Sequence, residues 1–368
     1  MSKAAELANL IGNINAGGGG VNRNLVINGA MNVSQRGTSF SFANATYCLD
    51  RYVMGTGNNT GAATVTQDSS APEGFANSLK LDVTTADSSV AVNHYNQILH
   101  RIEAQNLQSL AFGTSDAKNF TLSFYVKSNK TGNYSVNIGQ QDNSYKQANL
   151  LYTINSANTW ERKSLTFTGD TSGVINDDNG SGFEIAWILA AGTTYSSGSN
   201  SASFSSYADA NYAANQGVNV FDTIGNTWFI TGVQLEVGQN PTSFEHINNF
   251  GEELAMCQRY FQKTNAQFLL AGRGSGTTTG VATVPLTVPL RASPTTLDDN
   301  GLAFRAYTGS AIDVGDGTVP TVASFAETDN TLLLNMVGFD GLSDDRIANF
   351  MLFGTQNATT GFTMDSEL

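Results

Sequence analysis

Along the first sixteen residues, Ala4, Leu7, Ala8 and Ile11 recur at helical spacing with Leu10 beside them, and the pattern stops at four glycines, Gly17 to Gly20. So short a helix is marginal alone. Its apolar stripe predicts a partner, either its own copies or a larger assembly. From Asn24 the period becomes that of strands: "NLVIN", "RYVMG", "AATVTQ", "SLKLDVTT", "AVNHYNQIL", "FTLSFYVKS", "NYSVNIGQ", "KQANLLYTI", "ERKSLTFTG", "FEIAWILAAG" and "WFITGVQLEV". Apolar and polar residues alternate in several of these, as a sheet with one buried face requires. Eleven such runs predict a two-sheet sandwich of jelly-roll type. Its predicted core is Leu122, Phe124, Val126, Leu165, Phe167, Ile185, Trp187, Trp228, Ile230, Val233 and Leu235.

The alternation lapses between Leu189 and Val218, in a stretch rich in Ser, Ala, Asn and Tyr. It predicts a long irregular excursion, and tyrosines set among small polar residues suit an adaptable binding surface. After "WFITGVQLEV" the chain turns through "GQNPTS". Gly251 then precedes Glu252 and Glu253, and Leu254, Cys257 and Phe261 share a helical stripe that ends near Lys263. A second strand-rich block follows: "AQFLLAG", "GVATVPLTVPL", "LAFRAYT", "TVASFAE", "TLLLNMVG", "ANFMLFG" and "TTGFTMDSEL". Pro285, Pro289 and Pro294 restrict pairing in its middle. The predicted class is all-β, with an N-terminal helix and Gly linker over 1–20, a jelly roll over 21–250, a connecting helix over 251–263 and a smaller β-sandwich over 264–368.

Composition narrows the function more than the fold. Only 13% of the 368 residues are charged, and the net charge of -13 comes with no run of Lys or Arg. A nucleic-acid partner and an anionic membrane surface are therefore not expected. No stretch reaches the ~18 apolar residues of a membrane span, and the N-terminus lacks the order of a signal peptide, so assembly in a cytoplasm is expected. Cys48 and Cys257 are too few for a disulfide framework. His94, His100 and His246 lack metal-ligand spacing.

Three segments resemble chemistry without supplying it. "DDNG" (Asp177 to Gly180) lacks the later carboxylate of a calcium loop. "GRGSG" (Gly272 to Gly276) has no following GK[ST]. Glu236, Glu245, His246, Glu252, Glu253 and Cys257 crowd the joint, but helix formation and packing account for the acids and the thiol. No catalytic residue, and no enzymatic activity, is expected.

Several segments, in order, resemble tail-fibre and related virion appendage proteins of tailed bacteriophages that carry a carbohydrate-binding-module-like jelly roll. They are "MSKAAELANLIG", "NRNLVINGAMNVSQRGTSF", "DRYVMG", "FANSLKLDVTTAD", "QILHRIEAQNLQSLAFGTSDAKNFTLSFYVKS", "WFITGVQLEVGQNPTSFEH" and "GEELAMCQRYFQ". The resemblance implies a homotrimeric structural protein of the virion, attached to other virion proteins through its N-terminus and contacting bacterial surface polysaccharide. Leu7, Leu10 and Ile11 are then the attachment and oligomerisation residues. In sugar-binding modules of this type an acid after "NG" helps hold a structural calcium. Ala30 stands there, so no cofactor is expected. Saccharide recognition uses aromatic rings against sugar faces and polar side chains on hydroxyls. The candidates are Tyr195, Tyr207 and Tyr212 in the excursion and Asn143 and Tyr145 in "QQDNSYKQ", with Tyr307 and Phe339 near turns of the distal block. Two other roles fit the same appendage: a head-decoration or head-fibre protein, and a polysaccharide depolymerase.

Overall fold

The computed structural model describes residues 2–15, 23–57, 60–142, 144–247, 249–263, 267–276, 278–294, 296–298, 303–308, 311–313, 321–328, 331–337, 347–353 and 363–368. Two compact units emerge: Met1–Glu253 with Leu368, and Leu254–Glu367.

The first unit begins with α1 (Lys3–Asn15), where the Ser2 hydroxyl accepts from the Ala5 amide at 3.3 Å. Leu7 and Ile11 are exposed on this helix, at 57% and 49%, and Leu10 is half-buried. Among the described residues thirteen strands follow: β1 (Ser39–Ser41), β2 (Thr46–Tyr47), β3 (Tyr52–Gly57), β4 (Ala62–Asp68), β5 (Ser78–Thr85), β6 (Tyr95–Glu103), β7 (Phe120–Ser128), β8 (Gly132–Gln140), β9 (Lys146–Ile154), β10 (Glu161–Phe167), β11 (Ser181–Ala191), β12 (Ser201–Ser206) and β13 (Thr227–Val237). They form a six-stranded sheet, β1-β4-β5-β13-β7-β10, and a seven-stranded sheet, β12-β9-β8-β11-β6-β3-β2. Every pairing in these sheets is antiparallel, as a jelly roll requires. All eleven predicted core residues are buried in one cluster between the sheets.

The strands hold their faces by simple alternation. In β11, Ile185, Trp187 and Leu189 enter the core while Ala186 and Ile188 point to the opposite face, where they meet Val53, Leu99, Tyr212 and Ala213. That outer face of the seven-stranded sheet is where the excursion lies.

Ten of the eleven predicted strands of this unit form. The exception is "NLVIN", which is a turn because Asn28 adopts left-handed backbone with φ 58°. Asparagine tolerates that conformation. Its amide donates to the carbonyls of Val33 and Asp50 and accepts from the Val33 amide, doing locally what a neighbouring strand would do. Ala30 is buried in this turn.

The predicted connecting helix is shorter than its pattern: α2 (Thr193–Ser196) and α3 (Asp209–Tyr212) belong to the excursion, and α4 (Phe250–Gln258) ends before Phe261–Lys263, which are a strand. Tyr260 closes the turn by donating its amide to the Cys257 carbonyl, and the chain leaves helical geometry there. The second unit then comprises β14 (Phe261–Lys263), β15 (Gln267–Gly274), β16 (Thr279–Pro285), β17 (Thr296–Asp298), β18 (Ala303–Thr308), β19 (Ala311–Asp313), β20 (Thr321–Thr328), β21 (Thr331–Val337), β22 (Ile347–Phe353) and β23 (Thr363–Asp365). They make a three-stranded sheet, β14-β23-β17, and a seven-stranded sheet, β19-β18-β22-β15-β16-β21-β20. Pro285 is the last residue of β16, which leaves the ladder interior free of a missing donor. No helix among the described residues is long and apolar enough to cross a membrane.

Candidate functional site

A groove of about 650 Å³ opens on the outer face of the first unit's seven-stranded sheet. Register places its floor in rows across the strands. Val53, Leu99 and Ala186 form one row and Gly55, Gln97 and Ile188 another, while Arg101, Glu184 and Gly139 lie side by side on β6, β11 and β8. The floor is therefore a narrow apolar strip bordered on one side by the Arg101–Glu184 row and on the other by the row that carries the Gln97 amide. Arg101 Nε donates to Glu184 Oε2 at 2.8 Å, with the carboxylate only 12% exposed.

The excursion builds the wall. It contains α2 (Thr193–Ser196), β12 and α3 (Asp209–Tyr212), and it is fixed to the sheet face by buried amides. Asn137 Nδ2 donates to the Tyr212 carbonyl at 3.1 Å, Gln147 Nε2 to the Ala208 carbonyl at 2.8 Å, and Asn149 Nδ2 to the Asn211 carbonyl. These bonds satisfy polar groups that burial would otherwise penalise. They cover the β8–β9 half of the face and leave the β3–β6 half open as the groove.

Five tyrosines ring that opening. Tyr145 and Tyr207 meet edge to face with centroids 5.0 Å apart, and Tyr207 lies 6.2 Å from Tyr212. Tyr95 and Tyr195 meet edge to face at 5.1 Å and both adjoin Tyr212. Tyr212 is buried and its hydroxyl donates to Gln97 Oε1 at 2.8 Å, so it is the keystone and not the contact surface. Tyr207, 40% exposed, presents the most open ring. Asn44, Ala45 and Ser144 complete the rim.

Burial raises the phenols of Tyr95, Tyr145, Tyr207 and Tyr212 above the usual tyrosine range, with neighbouring carboxylates and phenols adding to the effect. Burial pulls Arg101 down, but Glu184 and Tyr47 outweigh it and keep the guanidinium charged. At neutral pH the groove thus offers neutral rings, hydroxyls, amides and one internally matched ion pair. Glu184 is the only carboxylate among the described residues that line it. That arrangement can stack and hydrogen-bond a polyhydroxylated ligand.

Four of the five sequence-predicted saccharide residues, Tyr145, Tyr195, Tyr207 and Tyr212, line this groove. Asn143 lies outside the described residues. Of the distal pair, Tyr307 falls in β18 and Phe339 lies outside the described residues. Tyr95, Gln97, Arg101, Glu184 and Gly55 were not predicted. The alternation in "HYNQILHRIE" does put Tyr95, Gln97, Leu99 and Arg101 on one face, but only strand order shows that this face meets the excursion.

The reactive-looking residues of the joint have separate structural duties. Glu236 accepts from the Thr242 amide and hydroxyl at 2.8 and 2.7 Å, and Glu245 accepts from the Asn24 amide at 3.0 Å. Glu253 is raised by burial while accepting from Asn32 and the Asn28 amide. His246 packs against Phe75 and Phe244, and Cys257 is buried. In "DDNG", Asp178 accepts from the Gly180 amide at 2.8 Å as a plain turn does.

No family model and no curated protein matches the chain. Solved structures with similar folds include the enzymatically active domain of tailspike protein 4 from bacteriophage CBA120, at 14% identity over 58% of this chain and 21% of that one, with a TM-score of 0.31. The chain thus spans about a fifth of the tailspike structure. A CBM4 structure is 15% identical over 58% of this chain and 99% of its own, with a TM-score of 0.31. A family 11 carbohydrate-binding module from Clostridium thermocellum, solved with a β-1,3-1,4-mixed-linked tetrasaccharide, is 10% identical over 57% and 99%, with a TM-score of 0.28. At TM-scores this low the likenesses add nothing to what the chain's own sheets establish, an antiparallel jelly roll.

Proposed function

We propose that the chain is a non-enzymatic, saccharide-binding appendage protein of a bacteriophage virion, a tail fibre that trimerises, attaches through α1 and holds bacterial surface polysaccharide in the tyrosine-lined groove. One observation carries the binding reading: four tyrosines from two loops distant in sequence, with Tyr95 from β6, converge on one groove beside a matched Arg101–Glu184 pair. Binding fits better than hydrolysis because glycosidic cleavage ordinarily uses two facing carboxyl groups, and the described lining offers Glu184 alone, already committed to Arg101. The sequence resemblance to phage appendages supports the virion setting, and the exposed Leu7 and Ile11 support attachment.

The test is an array of hexose and hexuronate oligosaccharides of several sugars together with purified bacterial O-polysaccharides, followed by calorimetry with the best-bound oligosaccharide. Tyr207→Ala is expected to weaken that binding about tenfold, the scale of one lost ring contact, without altering the Tm. Failure of every saccharide to bind removes the reading. Release of new reducing ends from any of them replaces it with the depolymerase.

A further inference from the structure

Tyr145 occupies the groove in a backbone conformation that an aromatic residue rarely adopts. Its φ is 47° and that of Ser144 is 66°, so two consecutive non-glycine residues are left-handed at the tip of the β8–β9 hairpin. In that region Cβ crowds the following carbonyl oxygen, and bulky residues occupy it only where the surroundings hold them there. Ala45, also on the groove rim, has φ 52°. Left-handed non-glycine residues therefore gather at this rim on both sides.

The sheet beneath Tyr145 lacks a side chain. Gly139 points to the outer face of β8, opposite Glu184, and a Cβ placed on it would lie 2.5 Å from the Tyr145 hydroxyl oxygen and 2.9 Å from Cζ. Its φ is not left-handed, so the backbone has no need of glycine there. Space is the reason, as at other strand glycines where a group approaches closely. The same construction recurs on β3, where a Cβ on Gly57 would lie 2.5 Å from Cε1 of Tyr95. The ring of Tyr145 is further fixed by a hydrogen bond to the Gln141 side chain and by its edge-to-face contact with Tyr207. Its carbonyl also accepts from the Tyr207 amide at 3.2 Å, which ties the turn to the excursion.

We propose that Gly139 and the left-handed Ser144–Tyr145 turn form a preset seat that holds the Tyr145 ring across the sheet as a ligand platform before any ligand arrives, making Gly139 a positioning residue for the saccharide. This rests on the saccharide-binding reading above. Pre-organisation of this kind raises affinity by removing the ordering cost from the binding step.

The test uses the full chain, with Gly139→Ala, Tyr145→Ala and the double variant titrated against the best-bound oligosaccharide of the array, beside thermal melts and near-ultraviolet circular dichroism of the tyrosines. Gly139→Ala is expected to weaken binding about tenfold or more, change the tyrosine dichroism without ligand, and leave the Tm within a few degrees. The double variant is expected to bind no worse than Tyr145→Ala alone, because both changes act through one ring. Unchanged affinity in Gly139→Ala overturns the proposal. So does a fall in Tm that tracks the affinity, with losses that add in the double variant, since that is the signature of a structural glycine. If the unchanged chain binds no saccharide, the functional reading falls and this inference with it; if it binds and only the variants fail to respond, this inference alone falls.

Discussion

His100 shows how a single buried side chain sets a pH limit. It sits in the core against Tyr52, with ring centroids 5.1 Å apart, and its Nε2–H donates to the Ile27 carbonyl at 3.1 Å. Desolvation and the nearby Arg51 push it from 6.5 down to about 3, while the bond to Ile27 opposes them. The unfolded chain therefore takes up this proton first, so the contribution of neutral His100 is complete above pH 6.5 and is lost as pH falls towards 3. Glu161 behaves differently: burial pushes it up, but Lys163 and the donors of Ser156 and Asn155 outweigh that and hold it at about 2, so its contribution declines only below its ordinary 4.5. Between pH 6 and 4.5 the unchanged chain should lose about 1.4 kcal/mol per pH unit more than His100→Gln, the value of one proton. Urea titrations across that window measure it, and parallel slopes for the two proteins would show that His100 is not the titrating group. Residues of this sort were illegible in the sequence, because nothing in "NQILHRIE" distinguishes a histidine facing a core from one facing water. The tyrosines of the excursion were legible because no aliphatic neighbours accounted for them. Tyr95 and Gln97 were not, because within a strand they read as ordinary alternation.

At the scale of elements, the excursion is a built part of the sheet face and not a loose connection. Asn137, Gln147 and Asn149 are buried polar residues on the outward positions of β8 and β9, and the groove has its wall because they bond the excursion's carbonyls. Asn137→Ala leaves the Tyr212 carbonyl without this donor and should cost about 1–3 kcal/mol. Hydrogen exchange should locate the loss in the excursion's own bonds, those from the amides of Gly198, Ala213 and Asn215 to the carbonyls of Ala210, Tyr195 and Ser196. Saccharide affinity should fall with it, since Tyr212 braces Tyr207 and Tyr195. Unaltered exchange at those three amides would mean that the wall is held by its own packing. The excursion's extent was legible from its composition, but α2, β12 and α3 were not, because their order comes from the amides of a sheet distant in sequence. The strands were legible wherever apolar alternation was clear. The turn at Asn28 was misread because "NLVIN" satisfies the strand pattern while its left-handed backbone is specified by one amide.

Across the whole molecule, the sequence reads as two β-rich stretches with a helix between them, since each stretch carries its own apolar alternation and the segment between them has helical period. The pattern carried the helix too far because Phe261 suits both a helical stripe and the strand β14 that it enters. What a single chain does not explain is α1, whose Leu7 and Ile11 stay exposed. If copies of this helix bury those side chains against each other, the purified protein should weigh as three 39.0 kDa chains in mass photometry. Leu7→Asp with Ile11→Asp should reduce it to one, because a carboxylate entering an apolar contact loses its hydration without a partner. No described residue that lines the groove belongs to α1, so calorimetry with a short oligosaccharide should give the same affinity per chain for both proteins. Retention on immobilised polysaccharide should separate them: three linked grooves rebind before the molecule escapes, and dissolving the trimer should weaken adsorption about a hundredfold or more. A persistent trimer in the double variant would assign assembly to another surface. Equal retention of monomer and trimer would mean that one groove at a time engages the polysaccharide.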